Sequence, residues 1–143
     1  MKKVFLIFAA LILAACTGSP PAENTGANTE RIAAKNKQTA VVNEVTLVMQ
    51  TAQKLEKEGR AMEIYRNSVK AASLRECDTV AADEVKQAQD LAERITKLPN
   101  PYQTTLLPVT NDLGDCVSCS KTAMASCVKT RAAVNQAIKQ LYP

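Results

Sequence analysis

The chain predicts an all-α fold, an antiparallel bundle of three or four helices stapled by two disulfides. Three observations predict it. Between residues 22 and 98 there is no proline and the only glycines are Gly26 and Gly59, in a stretch rich in Ala, Glu, Lys, Gln, Arg and Leu. These are strong helix formers. Apolar side chains recur there at alternating spacings of four and three, which puts them on one helix face, and no useful length alternates as a strand would. Beyond the first thirty residues the cysteines form an even set: Cys77, Cys116, Cys119 and Cys127.

The first residues read differently. Lys2 and Lys3 precede an apolar run from Val4 to Leu13. About ten residues make roughly 15 Å of helix, half of a bilayer core, so the run reads as an export signal rather than a span. It ends Leu13-Ala14-Ala15-Cys16, and this resembles the lipobox of bacterial lipoproteins. The resemblance covers residues 1–16 only. It implies cleavage before Cys16, a diacylglyceryl thioether on the Cys16 thiol, and fatty acyl chains such as palmitate holding the protein to a membrane. Thr17 stands where an Asp would favour inner-membrane retention, which implies the outer membrane in a bacterium that has one.

Residues 1–15 are thus expected as signal peptide, 16–29 as a lipidated tether and 30–143 as the helical domain. The tether reading rests on TGSPPAENTGANT, residues 17–29, which carries almost nothing to bury. Val41, Val45, Val48, Ala52 and Leu55 then form the stripe of a long first helix, with Asn28 or Thr29 as its cap and Gly59 as a break or kink. A second helix over 60–76 would place Met62, Tyr65, Val69 and Ala72 on one face. A third, starting near Asp78 as its cap, carries Ala81, Val85, Ala88, Ala92 and Ile95, with Asp90–Arg94 and Glu93–Lys97 as i,i+4 pairs. LPNPYQTTLLPVTNDLGD, residues 98–115, has three prolines and reads as irregular surface structure. A last helix from about 115 or 118 to 141 presents Met124, Val128, Val134, Ile138 and Leu141.

Composition limits the core and the partners. Phe5 and Phe8 belong to the signal, there is no Trp, and Tyr65, Tyr102 and Tyr142 are the remaining aromatics. A core of small aliphatic side chains buries little area per residue, so cross-links are expected to help. Lys2 and Lys3 leave with the signal, taking the net charge from +4 to +2. That balance does not argue for nucleic acid. In an exported chain the four cysteines read as two disulfides; a four-thiolate zinc site would normally use two close pairs, and only Cys116 and Cys119 make one. On one helix Cys119 and Cys127 would stand about 12 Å apart, out of disulfide reach. The favoured pairing is Cys116–Cys119 with Cys77–Cys127. Cys77 bonded to Cys116 or Cys119 is the alternative if the 98–115 segment runs back along the bundle.

Candidate chemistry is sparse. With no histidine, Ser-His and Cys-His nucleophiles and histidine metal sites are excluded. Cys116 and Cys119 have redox-motif spacing but lack a thioredoxin-like context. Ser118 and Lys121 match an S-x-x-K spacing without its companion elements. Glu56, Glu58, Asp83, Glu84, Asp112 and Asp115 are expected on solvated faces and at caps. Lys54, Lys57 and Arg60, interleaved with Glu56 and Glu58, are expected on a solvated helix face. Tyr102, Leu106 and Leu107 on a constrained loop make a candidate partner-binding patch. No cofactor, metal or small-molecule substrate is expected. The expected function is a non-catalytic, lipid-anchored envelope protein that binds another envelope protein as scaffold or accessory of a secretion, conjugation or surface machine. The alternatives are an immunity or exclusion lipoprotein and a thiol–disulfide oxidoreductase using Cys116 and Cys119.

Overall fold

In a computed structural model, residues 25–67 and 71–143 are described. Cys16, Val69 and the signal lie outside them. Six helices follow in order: α1 (Thr25–Ala61), α2 (Glu63–Arg66), α3 (Ala71–Thr96), α4 (Tyr102–Thr110), α5 (Leu113–Cys116) and α6 (Ala123–Leu141). The fold is an all-α bundle built on the four longer helices, with no strand among the described residues.

The apolar stripe of α1 is buried as its spacing requires: Val45, Val48, Ala52 and Leu55 are core and Val41 packs at the margin. That face meets Ala81, Ala88, Leu91 and Ile95 of α3. The two helices run antiparallel. Arg94 Nε, near the end of α3, donates to Glu44 Oε1 at 2.8 Å, while Glu84 lies beside Glu58 near the end of α1. Arg94 therefore crosses to the neighbouring helix instead of pairing with Asp90.

Several expectations need correction. Gly59 does not break α1, which runs through it to Ala61. The helix expected over 60–76 is the short α2 followed by α3, so Asp78 is exposed inside α3 and caps nothing. The 98–115 segment is helical, not irregular. Pro101 sits at the N-cap of α4 and Pro108 interrupts its last turn, and the stripe Leu106, Val109, Leu113 is fully buried. A proline next to a first turn removes no helical hydrogen bond, which is why the segment tolerates it. Finally, α6 begins at Ala123 and buries Ala123, Cys127, Thr130, Val134 and Ala137 at spacings of four and three. Val128, expected on the core face, is 62% exposed.

The helix also begins earlier than expected, within the presumed tether. Residues 26–40 of α1 are exposed throughout. They extend α1 beyond its buried half by roughly 22 Å of a helix about 55 Å long.

The disulfides are Cys77–Cys119, with Cα atoms 6.0 Å apart, and Cys116–Cys127, at 4.5 Å. The favoured pairing is overturned and the alternative one for Cys77 is found. Cys119 is not on α6 at all: α5 ends at Cys116, and the turn through 117–122 reverses the chain so that Cys127 returns beside Cys116. Closing loops of 42 and 11 residues contributes about 4 and about 3 kcal/mol through the entropy of the unfolded chain.

Candidate functional site

The richest constellation lies at the end of the bundle where α1 finishes, around α2, α5 and the two disulfides. It begins with Gly59. A Cβ there would stand 2.7 Å from both the carbonyl oxygen and Sγ of Cys116, a separation no side chain could accept. Glycine is thus required by helix-to-helix contact, and the space it leaves is filled by the Cys116–Cys127 bond. Both of those cysteines are fully buried.

Arg66 fixes the same strand of chain from the other side. Its Nε donates to the Ser118 carbonyl at 2.8 Å and its Nη2 to the Cys116 carbonyl at 2.7 Å. These charge-assisted bonds satisfy carbonyls that the end of α5 leaves unpaired. Burial pulls the Arg66 guanidinium below its usual pKa, with the Glu63 carboxylate acting in the opposite direction. The turn completes its own wiring: the Ser118 hydroxyl donates to the Asp115 carbonyl at 2.8 Å and accepts from the Ser120 N–H at 3.2 Å, and the Thr122 N–H donates to Ser120 Oγ at 3.0 Å. Ser118 is committed to backbone, and Lys121 is exposed.

A groove of about 330 Å³ opens beside this turn, lined among others by Arg66, Asn67, Cys119, Ser120, Lys121 and Met124. Cys119 is half-buried, whereas its partner Cys77 is fully buried. Cys116 and Cys119, the redox-motif candidates, belong to different bonds, and the motif does not form its own disulfide.

The carboxylates fall into three arrangements. Glu56, 7% exposed, is no solvated residue. Arg60 Nε lies 2.6 Å from its Oε1, and Arg131 Nε reaches the same oxygen from α6 at 3.2 Å. A carboxylate that meets guanidinium groups from both α1 and α6 ties the two helices together. Glu58 and Glu84 meet across α1 and α3, and an oxygen of each is buried without a partner. Burial first, then the Glu58 carboxyl, pushes the Glu84 pKa above its ordinary value, with Lys54 opposing and Asp83 adding to the rise. A proton on Glu84 would let it donate to Glu58. Asp112 pairs with Lys129 at 3.4 Å and Lys54 with Glu58 at 3.6 Å. Among the described residues no group of three or more potential ligands could hold a metal ion.

The candidate patch on 102–107 is only partly a surface. Leu106 is fully buried and belongs to the core, because the segment is helical and Leu106 faces inward with Val109. Tyr102 is half-buried and lines a groove of about 410 Å³ with Lys37, Gln38 and Val41 of α1, while Leu107 is exposed. The sequence reading missed Arg66 and the role of Gly59. It had a signal for Glu58 and Glu84: each stands three residues from one core position and four from another, Glu58 between Leu55 and Met62, Glu84 between Ala81 and Ala88.

No family model, no curated protein and no solved structure matches this chain. Among the described residues no helix is long and apolar enough to cross a membrane.

Proposed function

We propose that the chain is a lipid-anchored protein of the bacterial cell envelope, attached through Cys16 and binding another envelope protein without catalysing a reaction. One observation carries the reading. All four cysteines of the folded part are oxidised in pairs, the state of a domain that folds in an oxidising compartment, behind a leader ending Leu13-Ala14-Ala15-Cys16. The exposed half of α1 supports it further, as a stand-off between the anchor and the packed domain. The outer membrane is the favoured address because Thr17 follows the anchor cysteine. Tyr102 and Leu107, with the adjoining groove on α1, are the surface assigned to the partner.

The test is Cys16→Ser in whole cells. Palmitate labelling should disappear, the protein should leave the membrane fraction or persist as precursor, and both disulfides should still form. Labelling that survives the substitution would refute the anchor. For the partner, a photo-crosslinking residue at position 107 should trap one defined envelope protein that Leu107→Asp ceases to recruit.

A further inference from the structure

We infer that Cys77–Cys119 is a thiol-exchange site, with Sγ of Cys119 the atom attacked by the dithiol of an envelope oxidoreductase, and that Cys116–Cys127 is closed to that chemistry. The inference rests on the proposed envelope location for its reagent but not on the lipid at Cys16 or on the protein partner, and its test reads only the two disulfides.

Access separates the two bonds. Cys116 and Cys127 have no exposed surface, and the backbone of Gly59 lies so near Cys116 that not even a methyl group fits between them. Cys119 lies in the turn between α5 and α6, half-buried, in the wall of the 330 Å³ groove. Of the two sulfurs in its bond, only that of Cys119 belongs to a residue with exposed surface, since Cys77 has none.

Charge favours the same place. Lys121 and Arg66 line the groove against one carboxylate, Glu63. Arg66 is held by two carbonyls, and among the described residues no carboxylate lies within ion-pair distance of Lys121. A positive groove raises the local concentration of an incoming thiolate, the reactive form in disulfide exchange.

The steps balance. The thiolate of the reagent attacks Sγ of Cys119, forming a mixed disulfide as the Cys77–Cys119 bond breaks. The electron pair leaves on Cys77, which takes a proton from water. The second thiol of the reagent, as thiolate, then attacks the reagent's own sulfur in the mixed disulfide and releases Cys119. Two electrons pass from the dithiol, which becomes a disulfide, to the protein, which gains two thiols. The turn through 117–122 is thereby freed from α3 while Cys116–Cys127 still holds it to α6.

The experiment uses the full chain with both disulfides formed. It is treated with dithiothreitol under native conditions, quenched with N-ethylmaleimide and mapped by peptide mass spectrometry. Cys77 and Cys119 should be labelled about tenfold or more faster than Cys116 and Cys127. Simultaneous opening, or Cys116–Cys127 opening first, would overturn the inference. With glutathione as single-thiol probe, the trapped adduct should sit on Cys119; an adduct on Cys77 would overturn the assignment of the attacked atom. Lys121→Glu should slow dithiothreitol about threefold and leave reduction by an uncharged phosphine unchanged. Equal slowing by both reagents would show that Lys121 acts on structure and not on approach.

Discussion

The two ends of α1 are the same helix in two different surroundings. From residue 26 to 40 every side chain is exposed; from Val45 onward the helix is wedged between α3 and α6. Each end carries one glycine. A Cβ on Gly26 would meet nothing within 4 Å, whereas one on Gly59 would strike Cys116. Burial outweighs helix propensity in the packed half, whereas residues 26–40 bury little and lean on propensity far more.

Gly59→Ala gives the largest expected effect. The obstacle is a backbone carbonyl held by Arg66, together with a disulfide sulfur, and neither can yield. Unfolding in urea should show a loss of about 3 kcal/mol, the upper part of the range for overpacked cores. A loss near zero would mean α1 and α5 are not in contact as described. Next is Glu56→Ala, which strips Arg60 and Arg131 of their common carboxylate. Because both arginines retain access to water, the expected cost is about 2 kcal/mol, below that of a fully buried pair. Arg131→Ala should cost less, and the double variant should fall short of the sum of the two, the sign of direct coupling.

The third prediction concerns Glu84 and tests the packed half by pH. Its folded-state pKa is raised, so the native state binds the proton more tightly than the unfolded chain does. The stability this confers is fully present below the ordinary carboxylate value of 4.5 and is lost as pH rises through the higher folded value. Glu84→Gln removes that dependence. The variant should gain on the native protein between pH 4.5 and pH 7; a melting-temperature difference that stays constant over this interval would contradict the contact with Glu58. The smallest effect belongs to Gly26→Ala, which should raise helicity by circular dichroism, leave the urea midpoint unchanged and stabilise the exposed turns by at most about 1 kcal/mol.

The same contrast explains what was legible in the sequence. The stripe of α1 is written mostly in Val and Leu, whose burial follows from transfer free energy, and that of α3 in Ala, Val and Ile at strict four-three spacing. Both core faces were therefore readable, although the start of α3 was not. The core face of α6 is built from Ala123, Cys127, Thr130 and Ala137 around Val134. With so little hydrophobic contrast, Val128 looked like the better core residue. In α4 the prolines outweighed the period carried by Leu106, Val109 and Leu113, though Pro101 only begins the helix. That the four cysteines pair was readable from their even number and spacing, but which pairs with which was not. It is decided by the turn through 117–122, whose path depends on Arg66, fifty residues away from the carbonyl of Cys116.

An uninterrupted α1 has a mechanical corollary. From Thr25 to Ala61 it contains no proline and its hydrogen-bonded ladder continues past Gly59, so nothing within it works as a hinge. Tilting such a rod by about 20° at its first turn carries its last turn sideways by roughly 19 Å, and the disulfide end travels with it. Whatever orients the first turn thereby aims the far end, like the heel of a mast setting where its top will point.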